Sequence, residues 1–279
     1  MHWTVFSRLR VLAAALLLCL ASPDARAQLP VDSAAQAPPI SGVGVPSGPS
    51  SWPATDASRE AMPAFADLFK PLPGDLRRML ASPENLLIAG IGGSAALASR
   101  HGDTRASAAN WGSTDVFEPG QLVGAFAVQT GAALVTYGIG RVTDSPRAAR
   151  IGAGIFRAQL VSQATAQVVK AAAGRTRPDG SNSHSFPSGH SASAFATATV
   201  LQREVGWKVG IPAYAIAGWV AASRVQMKRH YVSDVIAGAT VGILAGRSVT
   251  VGSRNVRFSV DPMPVAGGIG VSFTKVARQ

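Results

Sequence analysis

The chain has 279 residues and a formal net charge of +11, from 26 Lys and Arg against 15 Asp and Glu. Charged residues make up only 15% and hydrophobic ones 47%, with a mean hydropathy of +0.20. These values exclude an acidic disordered chain, which needs many charges and little apolar surface. The single cysteine, Cys19, excludes a disulfide framework or a cysteine metal cluster within the chain.

Arg8 and Arg10 precede an apolar run from Val11 to Ala21, and Ala25-Arg26-Ala27 follows. A basic start, a short apolar run and small residues at a cut site predict a secretory signal peptide over 1–27. Cleavage would remove Cys19 and leave a chain that is still basic. Residues 28–55 carry Pro30, Pro38, Pro39, Pro46, Pro49 and Pro53 among Ser, Gly and Ala, which predicts a disordered linker. Met62, Phe65, Leu68 and Phe69 then recur at helical spacing, which predicts an amphipathic helix packed on the domain that follows.

Apolar runs at Leu86–Ala98, Leu122–Ile139, Ile151–Val169, Ala192–Leu201, Val209–Ala222 and Val235–Ala245 predict about six core helices within a domain over 56–250. Ser145-Pro146 reads as an N-cap followed by proline at the first helical position, and Gly174 as the C-cap of the same helix. Gln159, Gln163, Gln167 and Lys170 form a polar stripe on that helix, which should face protein interior or water rather than lipid. In the tail, 251–279, Val256, Phe258 and Val260, then Ile269, Val271 and Phe273, alternate with other residues across a Pro- and Gly-containing turn. That pattern predicts a C-terminal β-hairpin packed on the bundle. Most of the apolar runs are shorter than the roughly 20 residues of a membrane span. The expected location is therefore periplasmic or cell-envelope, with membrane association.

The chemistry-bearing residues lie between 170 and 234. Lys170 ends a helix and Arg177 follows in a loop. Pro187-Ser188-Gly189-His190 breaks the backbone just before a helix, whose free N–H groups suit an anion. Arg224, His230 and Asp234 follow, and a shared helical face would let Asp234 hold one ring nitrogen of His230. Three cations, a nest of donors, two histidines and one carboxylate suit phosphoryl transfer, in which positioning and electrostatic stabilisation dominate. No residue set matches a zinc or magnesium pattern. Basic charge without interleaved aromatics gives no support for a nucleic-acid partner.

The chain reads Lys170-(six)-Arg177-Pro178, then Pro187-Ser188-Gly189-His190, then Ser223-Arg224-(five)-His230-(three)-Asp234. These resemble the three signature motifs of the type 2 phosphatidic acid phosphatase family, which shares its site with the vanadium haloperoxidases. All eleven specified identities are present, in order. The resemblance implies an all-α helical bundle of the acid phosphatase/vanadium haloperoxidase kind. It implies a metal-independent hydrolase of phosphate monoesters, with lipid phosphates or isoprenoid diphosphates as expected substrates. His230 would be the nucleophile that forms a phosphohistidine, Asp234 its orienting carboxylate, and His190 the general acid and then base. Lys170, Arg177, Ser188, Gly189 and Arg224 would bind phosphate oxygens. No cofactor is implied for this activity. The alternatives are a haloperoxidase holding vanadate in the same pocket, and a non-enzymatic envelope binding or scaffold protein.

Overall fold

The computed structural model describes residues 61–110 and 112–250, and the backbone of two strands at 256–265 and 268–277. The expected signal peptide and linker lie outside the described residues. The described elements belong to the unit Met62–Gln279. In chain order the helices are α1 (Leu72–Ala81), α2 (Pro83–Ser99), α3 (Asp103–Ala108), α4 (Thr114–Phe117) and α5 (Pro119–Val123). They continue with α6 (Phe126–Val142), α7 (Pro146–Ala173), α8 (Gly189–Val205), α9 (Trp207–Gln226) and α10 (Val232–Val249).

The start and stop signals of α7 act as the sequence suggests. The Ser145 side chain accepts the Ala148 amide, Pro146 sits at the first position, and Gly174 closes the helix at φ +54°. Positive φ at a C-terminus favours glycine, which carries no Cβ penalty there.

Three expectations need correction. The bundle is all-α, but the expected fold of six core helices completed by a hairpin does not hold. Among the described residues, shorter helices α1, α3, α4 and α5 join the six long ones, and the bundle is built of helices alone. Among the described residues the two antiparallel strands Val256–Val265 and Gly268–Ala277 pair with each other and with no helix-bearing segment. The expected amphipathic helix at Met62–Phe69 is one 3-10 turn, Phe65–Leu68. Pro63, Pro71 and Pro73 crowd it, and the residue before a proline is biased out of the helical region. Leu68 is nevertheless fully buried, and Phe69 meets Phe156 edge-to-face at 5.5 Å. The long run Leu122–Ile139 is broken: α5 ends at Val123, Ala125 is extended, and the two segments bend by 55°.

Helix α8 sits at the centre, packed on α6, α7, α9 and α10. Its approach to α10 is set by three glycines spaced one turn apart. A Cβ at Gly238 would lie 2.3 Å from the Ser188 carbonyl oxygen, and one at Gly242 would lie 2.3 Å from that of Ala192. One at Gly246 would lie 2.6 Å from the Thr199 Cβ. The polar stripe on α7 meets the same helix. Gln159 Nε2 donates to the Ser193 carbonyl and Thr197 hydroxyl, and Gln163 Nε2 to the Gly189 carbonyl and Ser193 hydroxyl, at 2.8–2.9 Å. Gln159 and Gln163 thus face the interior, while Gln167 is exposed.

Gly238→Ala should therefore destabilise the protein by about 1–3 kcal/mol, as overpacking does. Gly93→Ala, on an exposed face of α2 with nothing within 4 Å of the new Cβ, should stabilise by roughly 0.5–1 kcal/mol. Thermal unfolding of both variants distinguishes the two environments. A Tm for Gly238→Ala at or above that of the parent would disprove the close contact.

Candidate active site

The end of α7 and the loop after it, the starts of α8 and α10, the end of α9 and the turn between α9 and α10 together carry the residues singled out from the sequence. Lys170 is 7% exposed, and its Nζ donates to the carbonyls of His184 at 2.8 Å and Pro187 at 2.6 Å. An ammonium has three donors, so one remains after the lysine has braced the loop before α8. Burial, then the Arg177 charge, lowers the Lys170 pKa to about 8.

Ser188 caps α8. Its Oγ accepts from the Ser191 amide at 3.4 Å and the Ser191 hydroxyl at 3.2 Å. Its own O–H stays available to donate. The Ser188 amide donates to the Asp234 carbonyl at 2.9 Å, tying α8 to α10. The first-turn amides of Gly189 and His190 have no intrahelical partner and lie at the positive end of a 17-residue helix.

Arg224, in the last turn of α9, is 4% exposed. Burial, then Arg177 and Arg229, lowers its pKa to about 10, so it stays charged at neutral pH. The Nε atoms of both Arg177 and Arg224 are buried without a hydrogen-bond partner in the fold. A buried donor left unmade costs about 1–3 kcal/mol, more when charged. Both would be satisfied by an oxyanion.

His230 is 2% exposed, and its backbone amide donates to the Arg224 carbonyl at 3.1 Å. Its Nδ1 lies 2.6 Å from the Ser185 carbonyl oxygen and 3.7 Å from Asp234 Oδ2. A carbonyl can only accept, so Nδ1 carries the proton and Nε2 keeps its lone pair. This corrects the shared-face expectation. Helix α10 begins at Val232, so His230 precedes it, and Asp234, besides facing His230, accepts the amide of the N-cap residue Tyr231 at 2.9 Å. Burial raises the Asp234 pKa, but hydrogen bonds from His230, Ser185 and Tyr231 and the Arg175 charge outweigh it, and the net shift is downward. Asp234 remains an anion. Burial lowers the His230 pKa, with Asp234 opposing.

The helix break between α5 and α6 serves His190. A Cβ at Gly124 would lie 3.2 Å from the His190 Cβ, so the chain passes close by. The Gln121 carbonyl hydrogen-bonds to the imidazole. Burial, then Arg224 and His230, lowers the His190 pKa to about 3. Its imidazole is therefore neutral in the resting site.

Six of the eight predicted residues, Lys170, Arg177, His190, Arg224, His230 and Asp234, fall in one electrostatic neighbourhood, and Ser188 joins it through its amide bond to the Asp234 carbonyl. Arg177 acts on Lys170, Arg224 and His190, and His190 also feels Arg224 and His230. Three cations face one carboxylate that is already paired with Arg175. The excess is positive, as an anion site requires. Sequence reasoning missed Ser185, Arg175, Asp103 and Gln121. Arg175 lies in the gap of the first motif, and Ser185 lies two residues before the second. Asp103 and the Gln121 backbone carry no local signal. Among the described residues no group of three or more His, Cys, Asp and Glu is placed to hold a metal ion.

Lys170 sets a pH dependence. Its charge is present below about pH 8 and lost above it, and the remaining donor then binds phosphate less well. For a phosphate ester, kcat/KM should fall as pH rises through about 8, with kcat less affected because bound phosphate holds the proton on. Lys170→Met should abolish that limb. A limb that survives the substitution would show that another group titrates.

The profile of the PAP2 superfamily matches residues 151–257. The lipid A 1-phosphatase of Porphyromonas gingivalis is 46% identical over 76 residues, which is 26% of this chain and 17% of that protein. The lipid A 1-phosphatase of Rhizobium etli is 36% identical over 110 residues, 33% of this chain and 46% of that protein. The matched segments thus span less than half the length of these curated relatives. Among solved structures, a transmembrane PAP2 type phosphatidylglycerolphosphate phosphatase from Bacillus subtilis aligns with TM-score 0.43 and 22% identity. That alignment covers 67% of this chain and 94% of that one.

Proposed function

Because the chain belongs to the PAP2 superfamily through residues 151–257, we propose that it hydrolyses a lipid phosphate ester without a metal, through a phosphohistidine on His230. The supporting observation is a histidine with a fixed tautomer beside two buried cations, Lys170 and Arg224, and the half-buried Arg177. The lone pair on His230 Nε2 attacks phosphorus as the bond to the leaving oxygen breaks. Lys170, Arg177, Arg224, the Ser188 hydroxyl and the amides of Gly189 and His190 hold the equatorial oxygens, where charge accumulates. Attack leaves the imidazole cationic, and Asp234 stabilises that charge. His190 gives a proton to the departing alkoxide, then takes one from water, which displaces Nε2 from phosphorus. The depressed basicity of His190 arises first from burial and then from the charges of Arg224, His230 and Arg177. A phosphate dianion opposes that field, so substrate binding raises the proton affinity of His190 when a proton is needed.

An amphiphilic substrate is supported by the curated relatives and by exposed apolar side chains. Leu86, Leu87, Ile91 and Leu97 on α2 and Trp207 and Ile211 on α9 are all more than half exposed. Among the described residues one helix, Val232–Val249, is long and apolar enough to cross a membrane, or two if the bent α4–α6 segment counts as one span. We place the protein in the cell envelope, associated with the membrane.

Phosphate release from phosphatidic acid and from an aryl phosphate should persist in chelator and fall more than about a thousandfold in His230→Ala. Equal turnover by parent and variant would exclude the mechanism. His190→Ala should cost roughly 100-fold to 10,000-fold on an alkyl phosphate, but far less on an aryl phosphate whose leaving oxygen needs no proton. Equal losses on both would remove the general-acid role. The full chain should sediment with membranes and be released by detergent but not by osmotic shock. Release by osmotic shock alone would refute membrane association.

A further inference from the structure

A second carboxylate stands behind the first. Asp103, on α3, is 2% exposed and lies outside all three motifs. Its Oδ1 accepts the Ser233 amide at 3.0 Å, and its Oδ2 accepts both the Ser233 hydroxyl and Arg175 Nη2, the latter at 2.8 Å. The other arm of the same guanidinium, Nη1, donates to Asp234 Oδ1 at 2.7 Å and to Ser233 Oγ at 2.6 Å. One arginine therefore bridges two buried carboxylates, with its guanidinium 4.1 Å from the Tyr231 ring centroid. The Arg175 backbone works in the same direction. Its carbonyl accepts the Ser185 amide at 2.9 Å. Ser185 in turn donates its hydroxyl to Asp234 and offers its carbonyl to His230 Nδ1.

We propose that Arg175 and Asp103 are positioning residues that fix Asp234 and His230 in register and keep the Asp234 charge available to the reacting imidazole. This rests on the reading of His230 as nucleophile. Two physical consequences follow from the bridge. A guanidinium shared with Asp103 neutralises Asp234 only in part, whereas one bound to Asp234 alone would neutralise it more fully. Asp103 thereby preserves negative charge for the cationic phosphohistidine. Asp103 also anchors the first turn of α10, where a carboxylate favours the free amides, so the helix carrying Asp234 is held to α3. The charged groups facing Asp234 are Arg175 from the loop after α7, Lys170 from α7 itself and His230 from its own segment. Asp103 faces it from α3 through Arg175.

The test uses the full-length protein, an aryl phosphate as substrate and inorganic phosphate as competitor. Asp103→Asn should lower kcat roughly 10-fold to 100-fold, as small misplacements of reacting groups do. KM and phosphate inhibition should stay within about 2-fold, the pattern of a lost interaction that matters only in the transition state. Arg175→Met removes a cation between two carboxylates, so Asp234 binds its proton more tightly and the acid limb of kcat moves to higher pH. Asp103→Asn removes a negative charge, so that limb moves to lower pH or stays. Arg175→Lys keeps the cation and should restore the parent limb while kcat remains reduced. Loss of phosphate affinity alone, unchanged kcat in Asp103→Asn, or acid limbs shifting the same way in Arg175→Met and Asp103→Asn would each overturn the proposal. Thermal unfolding of each variant separates these effects from misfolding. If Asp103→Asn does not fold, Ser233→Ala, which removes the hydroxyl shared by both residues, replaces it under the same criteria. An inactive parent, or an active His230→Ala, would overturn the catalytic reading along with this one. An active parent with an inactive His230→Ala isolates any failure to Arg175 and Asp103.

Discussion

The site depends on how closely α8 and α10 can lie. Gly238, Gly242 and Gly246 present bare backbone to Ser188, Ala192 and Thr199. No larger residue fits at that separation. The contact lets the Ser188 amide reach the Asp234 carbonyl. The first turn of one helix, with its free amides, is thereby fixed beside the first turn of the other, with its carboxylate. Two helix N-termini side by side bring two positive dipole ends together. That arrangement is unfavourable for cations and favourable for anions, and two buried cations, Lys170 and Arg224, and the half-buried Arg177 are added to it.

Positive charge is therefore concentrated well beyond what the local carboxylates neutralise. The protein tolerates it by giving cations neutral acceptors. Lys170 is held by two carbonyls, and Lys228 reaches the carbonyls of Ser107 and Ala109. Carbonyl dipoles solvate the charge without cancelling it, so the field at the centre of the site remains positive. Arg175 is the contrasting case, since two carboxylates and an aromatic face absorb its charge. Two arginines two residues apart in sequence thus have opposite environments. Arg175 is consumed by structure, whereas Arg177 keeps a buried donor without a partner.

The motif residues were legible because their spacing reflects chain geometry. The six residues between Lys170 and Arg177 are what is needed to end α7 at Gly174 and turn back. Each of the six apolar runs overlaps one of the long helices, because burial on one side of a bundle leaves a continuous apolar pattern. The break after Val123 was not legible, since Gly124 and Ala125 do not interrupt hydrophobicity and only tertiary contact with α8 and α9 reveals the bend. Sequence spacing puts His230 beside Asp234, as the structure does at 3.7 Å, but not on a shared helical face, and it does not reveal the nearer Ser185 carbonyl. The helix that carries Asp234 starts at Val232, so the turn before it, not an i,i+4 helical face, brings the two side chains together. Asp103 was invisible because a carboxylate some 130 residues from its partner Ser233 leaves no local trace.

The two carbonyls that hold Lys170 have a consequence for binding. A free lysine side chain carries rotamer entropy worth up to about 2 kcal/mol, which an ordering contact must overcome. Here that ordering is completed during folding, by oxygens contributed by the loop that leads into α8. An arriving oxyanion meets a cation that is already immobile and partly stripped of water. Association then requires little rearrangement of the protein, and recognition of the phosphate is decided by shape as much as by charge. A flexible surface lysine would attract many anions weakly, whereas a clamped one selects those whose oxygens fit the directions its remaining proton can reach.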